Sequence, residues 1–186
     1  MYSPSSMATT LRKPDRSIVL VGLMGAGKST VGRRLAKRLG LEFADSDDEI
    51  ERAADHKIAE IFDRFGEPSF RDGERRVIAR LIDGPPKVIA TGGGAFMNEA
   101  TRQLILDRCI AVWLDADPEV LAERVSRRDH RPLLKDKEAL PLLRELARVR
   151  NPIYAEAHLH IRGNPAPHEK LVQQIVEAVA EWEQRA

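Results

Sequence analysis

Short, continuous apolar runs alternate along the chain with longer segments whose apolar residues recur at helical spacing. Ile18-Val19-Leu20-Val21, Val88-Ile89-Ala90 and Ile110-Ala111-Val112-Trp113-Leu114 carry no polar residue. This is the pattern of strands buried on both faces, as in a parallel sheet. Leu41-Glu42-Phe43-Ala44 and Leu159-His160-Ile161 are shorter and mixed, which suits outer strands. Between them Val31, Leu35 and Leu39 share one helical face. So do Ile58, Ile61, Phe62 and Phe65, then Phe70, Val77, Ile78 and Leu81, and then Val120, Leu121 and Val125. Leu142, Leu143, Leu146 and Val149 form another stripe, and Leu171, Ile175, Val179 and Trp182 a last one. The set from Ile58 to Phe65 is expected in the core. A further helix is placed around 98–107, opened near Asn98.

Glycine and proline punctuate this pattern where it changes. Gly40 is placed to cap the first helix at its C-terminus, and Gly66 to end a helix before a new one begins near Pro68. Gly84-Pro85-Pro86 turns the chain, Asp117-Pro118 starts a helix with proline in its first turn, and Gly163 to Pro167 turns into the final helix. Strand and helix in regular alternation predict an α/β fold, a five-stranded parallel sheet flanked by helices.

Chemistry enters at the first strand-to-helix connection. Gly22-Leu23-Met24-Gly25-Ala26-Gly27-Lys28-Ser29-Thr30 matches G-x-x-x-x-G-K-[ST], the phosphate-binding P-loop, and stands between a strand and a helix as that motif requires. Glycines let successive backbone N–H groups converge on phosphate oxygens, and the helix N-terminus adds its positive end. Lys28 would reach the β- and γ-phosphates, and the Ser29 hydroxyl would ligate Mg²⁺. The chain is expected to bind a nucleoside triphosphate in a three-layer P-loop NTPase fold.

In an open parallel sheet, ligands sit at the carboxyl ends of the strands. The second strand ends there in Asp45-Ser46-Asp47-Asp48-Glu49, a concentration of acids suited to a metal ion and a phosphoryl acceptor. Ser46 or one of the acids also serves to cap the helix that follows. The third strand ends in Thr91-Gly92-Gly93-Gly94, read as a second substrate-contacting loop. Arg71 and Glu74, spaced i, i+3, could pair and hold the guanidinium as a carboxylate fork, whereas Arg75 and Arg76 read as a solvated face. The segment 127–140 is charged and aperiodic, and reads as a mobile lid able to deliver an arginine to the transferring phosphoryl group.

Bulk properties narrow the setting. The 186 residues suit one domain, and the net charge of +1 with interspersed signs gives no basis for nucleic-acid or membrane binding. No apolar run approaches the roughly 20 residues that span a bilayer. The single cysteine, Cys109, adjoins an apolar strand, reads as a small packed residue, and leaves the cytoplasm as the expected compartment. Residues 1–16, rich in Ser, Thr and Pro, are expected to be a disordered extension, with a transit peptide as the alternative; 17–186 form the single domain. His158, His160 and His168 lack the spacing of a metal triad and are taken as surface or strand-end residues.

Several motifs in this order together resemble the shikimate kinase family: the P-loop, Asp45-Ser46-Asp47 with Glu49-Ile50-Glu51, Gly66-Glu67, Phe70-Arg71, Gly92-Gly93-Gly94, Arg131-Pro132-Leu133-Leu134, and Arg150-Asn151-Pro152-Ile153-Tyr154. The resemblance runs from Ile18 to the last helix. It implies an ATP-dependent kinase that phosphorylates the 3-hydroxyl of shikimate, giving shikimate 3-phosphate and ADP on the route to aromatic amino acids. By that likeness Gly25, Ala26, Gly27, Lys28, Ser29 and Thr30 bind ATP. Arg124 packs on adenine and Arg131, from the lid, also binds ATP. Ser29 holds Mg²⁺ directly and Asp45 holds it through water. Asp47, Arg71, Gly92, Gly93, Gly94 and Arg150 bind shikimate, and Glu74 orients Arg71. Lys28, Asp47 and Arg131 are the catalytic set. ATP and shikimate are the expected partners, Mg²⁺ the cofactor and a monomer the working unit. The turn 161–167 lacks an acid often found there in the family, so its adenine contacts stay unassigned. A gluconate-type kinase would keep Lys28 and Ser29 without the set of Asp47, Arg71 and Arg150.

Overall fold

The computed structural model describes residues 12–127, 139–163 and 166–186. Five strands, β1 (Ile18–Val21), β2 (Glu42–Asp45), β3 (Lys87–Ala90), β4 (Ile110–Asp115) and β5 (Leu159–Arg162), form one parallel sheet in the order β2-β3-β1-β4-β5. Successive strand residues point to opposite faces. Every residue of β1 and all but one of β4's apolar run are almost wholly buried, with Trp113 only slightly less so. Both faces of the sheet centre are therefore covered, which explains the uninterrupted apolar runs. The outer strands are only half-buried and keep polar residues.

Among the described residues seven helices make the outer layers: α1 (Lys28–Leu39), α2 (Ser46–Ala54), α3 (Ile58–Asp83), α4 (Glu99–Arg108), α5 (Pro118–Ser126), α6 (Ala139–Tyr154) and α7 (His168–Arg185). A short 3₁₀ turn, Ala95–Met97, precedes α4. The expected break at Gly66 is a kink inside α3: Gly66 takes φ 80° and ψ 170°, and Pro68 opens the second half. The two halves thus change direction between the apolar sets at 58–62 and 70–81. Gly40 caps α1 in the left-handed conformation, and Asn98 caps α4 by accepting from Thr101 N.

Some expectations shift. Phe65 is 57% exposed, and Leu142 and Val149 are 42% and 51% exposed, so the apolar stripes overstate burial. On α6 Ala139, Leu143, Ala147 and Tyr154 are the residues buried in the core, with Leu146 packed at its edge. Asp15 and Arg16, expected in the disordered arm, touch α7: Asp15 N donates to Glu183, and Arg16 lies over the Trp182 ring. Residues 1–11 of that arm and most of the expected lid, 128–138, lie outside the described residues. No helix among the described residues is long and apolar enough to cross a membrane.

The histidines are more structural than expected. His160 stacks on Trp113, with ring centroids 4.1 Å apart, and its Nε2 lies 2.8 Å from the buried Asp115 carboxylate. His158 Nδ1 accepts a hydrogen bond from Ala111 N at 3.0 Å and its ring packs on Trp182, joining β4 to α7. Burial lowers the His158 pKa from its ordinary value of 6.5, and the neighbouring Arg16 charge pushes the same way. The folded state thus prefers the neutral ring, whose Nδ1 lone pair the Ala111 bond requires. Its contribution to stability should be complete above pH 6.5 and decline as pH falls below it. Denaturant melts of wild type and His158→Gln between pH 5 and 8 should show this: the wild-type advantage is largest at pH 8 and shrinks toward pH 5.

Candidate active site

The sheet register assembles the site. Asp45 of β2 pairs with Ala90 of β3, and Ala90 with Leu20 of β1, so the three strands end level. Thr91 secures this edge: its N and Oγ1 both donate to Leu20 O, at 3.2 and 2.9 Å. The P-loop after β1, the acids after β2 and the glycines after β3 are therefore neighbours.

On the donor side, Gly25 and Gly27 take positive φ of 81° and 89°, which turns the loop's N–H groups inward in a way L-residues resist. Lys28 Nζ donates to the carbonyls of Gly22 and Leu23, at 2.7 and 2.9 Å, and so lies across the loop. Ser29 Oγ donates to Asp45 Oδ2 at 2.5 Å. The other Asp45 oxygen accepts from Asp47 N at 3.0 Å, so Asp45 is the acid that caps α2. Arg124 Nη1 donates to Gly25 O at 3.3 Å, which brings that α5 side chain onto the loop. Arg131 lies outside the described residues.

On the acceptor side, the three glycines form a floor without side chains beneath a ring of charges. A Cβ on Gly92 would sit 2.9 Å from Asp47 Oδ1 and 3.4 Å from Glu74 Oε2. One on Gly93 would sit 3.2 Å from Arg150 Nη1, and one on Gly94 2.6 to 2.8 Å from three atoms of the Arg71 guanidinium. A side chain on any of the three would have to shift a charged group that rests there. Arg71 Nη1 donates to Glu74 Oε1 at 2.9 Å, and its Nε faces Glu67 at 3.5 Å. Glu74 is 3% exposed; burial raises its carboxyl pKa, while Arg71 first and Arg150 second act against that rise. The residues expected to act, Asp47, Arg71, Glu74, Gly92–Gly94 and Arg150, are brought together. The arrangement can grip a small anion with two guanidiniums and accept from its hydroxyls with Asp47.

Two contributors went unassigned in the sequence. Ser46 is fully buried and accepts from Gly92 N at 3.3 Å, tying the start of α2 to the glycine loop. Tyr154 is fully buried and donates to Gly93 O at 2.5 Å. Ser46 was hidden among capping residues, but Tyr154 stands one turn after Arg150, an i, i+4 pair that the sequence does display.

A parallel sheet carrying a P-loop at its switch point and a separate, charged acceptor pocket beside it defines a small-molecule kinase. The family model for shikimate kinase matches residues 24–180. A shikimate kinase of Caulobacter vibrioides is 58% identical over 164 residues, 88% of this chain and 82% of that protein. One from Rhodopseudomonas palustris is 52% identical over 97% of this chain and 89% of its own length. The structure of a shikimate kinase from Acinetobacter baumannii in complex with shikimate superposes with a TM-score of 0.85 at 40% identity, covering 91% of this chain and 95% of that one. The chain belongs to the shikimate kinase family.

Asp45 serves both α2 and Ser29, and the two roles separate by substitution. Asp45→Ala should cost about 1 kcal/mol of stability through the lost cap, whereas Asp45→Asn, which keeps an acceptor for Asp47 N, should retain most of it. Urea unfolding of the two variants beside wild type measures the difference.

Proposed function

We propose that this chain transfers the γ-phosphoryl group of ATP to the 3-hydroxyl of shikimate. The observation that carries the reading is the convergence of Asp47, the Arg71–Glu74 pair and Arg150 on the Gly92–Gly94 floor, level with the P-loop. Shikimate is a small ring with one carboxylate and three hydroxyls, and the pocket offers two guanidiniums and one carboxylate acceptor to match. Arg71 and Arg150 hold the substrate carboxylate, and Glu74 fixes Arg71. Asp47 accepts a hydrogen bond from the attacking hydroxyl and can take its proton.

The hydroxyl oxygen forms a bond to the γ-phosphorus as the bond to the β,γ-bridging oxygen breaks, and ADP leaves with that electron pair. The transition state is loose, so positioning and charge neutralisation matter more than the base. Lys28 exchanges a loop carbonyl for phosphate oxygens, the P-loop amides hold the β-phosphate, Arg124 flanks the adenine, and Arg131 supplies a further cation.

Mg²⁺ fits the donor set. Ser29 Oγ and Asp45 Oδ2 are hard oxygens 2.5 Å apart beside the P-loop. No group of three or more His, Cys, Asp or Glu side chains suited to a metal occurs among the described residues. That suits an ion which takes most of its ligands from phosphates and water. When bound it would neutralise charge on the β- and γ-phosphates. The finer reading also takes a monomer in the cytoplasm. Cys109, the single cysteine, is buried with its thiol pKa pushed up by that burial to about 11, so it is inert and suits a reducing compartment.

ADP release measured with shikimate, gluconate, a nucleoside monophosphate or no acceptor tests the reading. Shikimate should stimulate it strongly and the others little. Lys28→Ala should lower the shikimate-dependent rate by about two to three orders of magnitude. Stimulation by gluconate with none by shikimate would overturn the assignment.

A further inference from the structure

Tyr154 is a buried phenol at the end of α6 that the reaction as described does not use. Its ring is fully enclosed, with Phe96 and Trp113 at centroid distances of 6.4 and 6.0 Å. Its hydroxyl donates to Gly93 O at 2.5 Å. The Arg150 guanidinium, one helical turn earlier, lies against the same loop residue, and its charge acts on the phenol. The tyrosine and the arginine thus meet at one residue of the loop, Gly93. Gly93 itself touches the donor side: a Cβ there would lie 3.6 Å from Gly22 O and 3.7 Å from Met24 N, besides the 3.2 Å to Arg150 Nη1.

We propose that Tyr154 is a positioning residue, whose hydroxyl fixes Gly93 and thereby the place of the acceptor-gripping Arg150 relative to the P-loop. This rests on the reading of Arg150 as a carboxylate ligand given under Proposed function.

Three physical points make the lock. A guanidinium on a long stem loses rotamer entropy when it is held, so holding it before the substrate arrives lowers the cost of binding. Arg150 rests on Gly93, which Tyr154 holds, and the buried Glu74 carboxylate attracts its charge. The Tyr154 ring cannot drift, because it is walled by aromatic neighbours and its hydroxyl has a fixed acceptor. Burial also pushes the phenol pKa up to about 12, so it remains a proton donor to Gly93 O throughout the neutral range. A second consequence concerns turnover. Gly93 lies between the arginine and the P-loop, so loosening it shifts the acceptor relative to the γ-phosphoryl group, and a small misplacement in a positioned transfer is costly in rate.

Calorimetric titration of shikimate and, separately, of MgATP into wild type, Tyr154→Phe, Arg150→Ala and the double variant tests this. Tyr154→Phe should weaken shikimate binding about tenfold, the upper end of the scale for one lost hydrogen bond, and leave the affinity for MgATP within about twofold. Its kcat should fall along with the rise in KM for shikimate. In the Arg150→Ala background, Tyr154→Phe should weaken shikimate binding no further, because the arginine it positions is gone.

A merely structural tyrosine predicts otherwise. Equal losses for both ligands, or the same shikimate loss with and without Arg150, would overturn the proposal, as would unchanged shikimate affinity in Tyr154→Phe. Gly93→Ala provides a second route should Tyr154→Phe not fold. It keeps the phenol but presses a methyl group against Arg150 Nη1, and should also weaken shikimate more than MgATP; equal affinity to wild type would count against the lock. If wild type itself gives no shikimate binding, the functional reading fails. Failure of the lock alone shows only in the variants.

Discussion

The parallel pairing of β1 with β3 is the constraint on which the site depends. Because β1, β2 and β3 end in register, three loops with different chemistry are delivered to one edge without any of them having to reach. Thr91 fastens that edge by giving two hydrogen bonds to the last but one residue of β1. A slip in the pairing of β3 would carry the glycine floor away from the P-loop, and the donor and acceptor halves would no longer face each other. Strands buried on both faces resist such slips, since a changed register must repack two apolar layers at once.

Electrostatics then decides what the acceptor half can hold. A carboxylate as buried as Glu74 would carry a penalty of several kcal/mol if it stood alone. Its pKa rise shows that burial still outweighs the two arginines, and it is nevertheless retained with its partners. The return on that arrangement is orientation. Arg71 is held against Gly94 with Glu74 on one terminal nitrogen and Glu67 facing its Nε, so its remaining donors have a defined direction. Glycine at 92, 93 and 94 is what lets carboxylates and guanidiniums settle directly on the backbone. Any side chain there would occupy the space of a charged group already in place. Ser46 and Tyr154 join the determinants because each fastens the floor through its backbone, at Gly92 N and Gly93 O.

Much of this was legible along the chain. Continuous apolar runs at 18–21, 88–90 and 110–114 reflect burial on both faces, and the P-loop carries its mechanism in its spacing. Arg71 and Glu74 were readable as a pair because helix geometry makes i, i+3 neighbours. What could not be read were contacts set by tertiary register. Asp45 was seen as an acid near a metal, yet its simultaneous roles as the cap of α2 and partner of Ser29 need β2 and α1 side by side. The hydroxyl of Tyr154 is anonymous in sequence, since its acceptor is a backbone carbonyl 61 residues away. Phe65, Leu142 and Val149 had the right spacing for a core, but helical periodicity marks a face and does not say how wide the covering layer is. His158 and His160 lacked any local sign of the strands on which they act.

The central claim is that the glycine floor is shaped by the charges resting on it. Gly94→Ala tests this most directly, because its methyl group would fall within 3 Å of the Arg71 guanidinium. Calorimetric titration should show shikimate affinity reduced by more than about tenfold, as expected when a charged hydrogen-bonding fork is displaced, with MgATP affinity unchanged. Shikimate affinity equal to that of wild type would contradict the account.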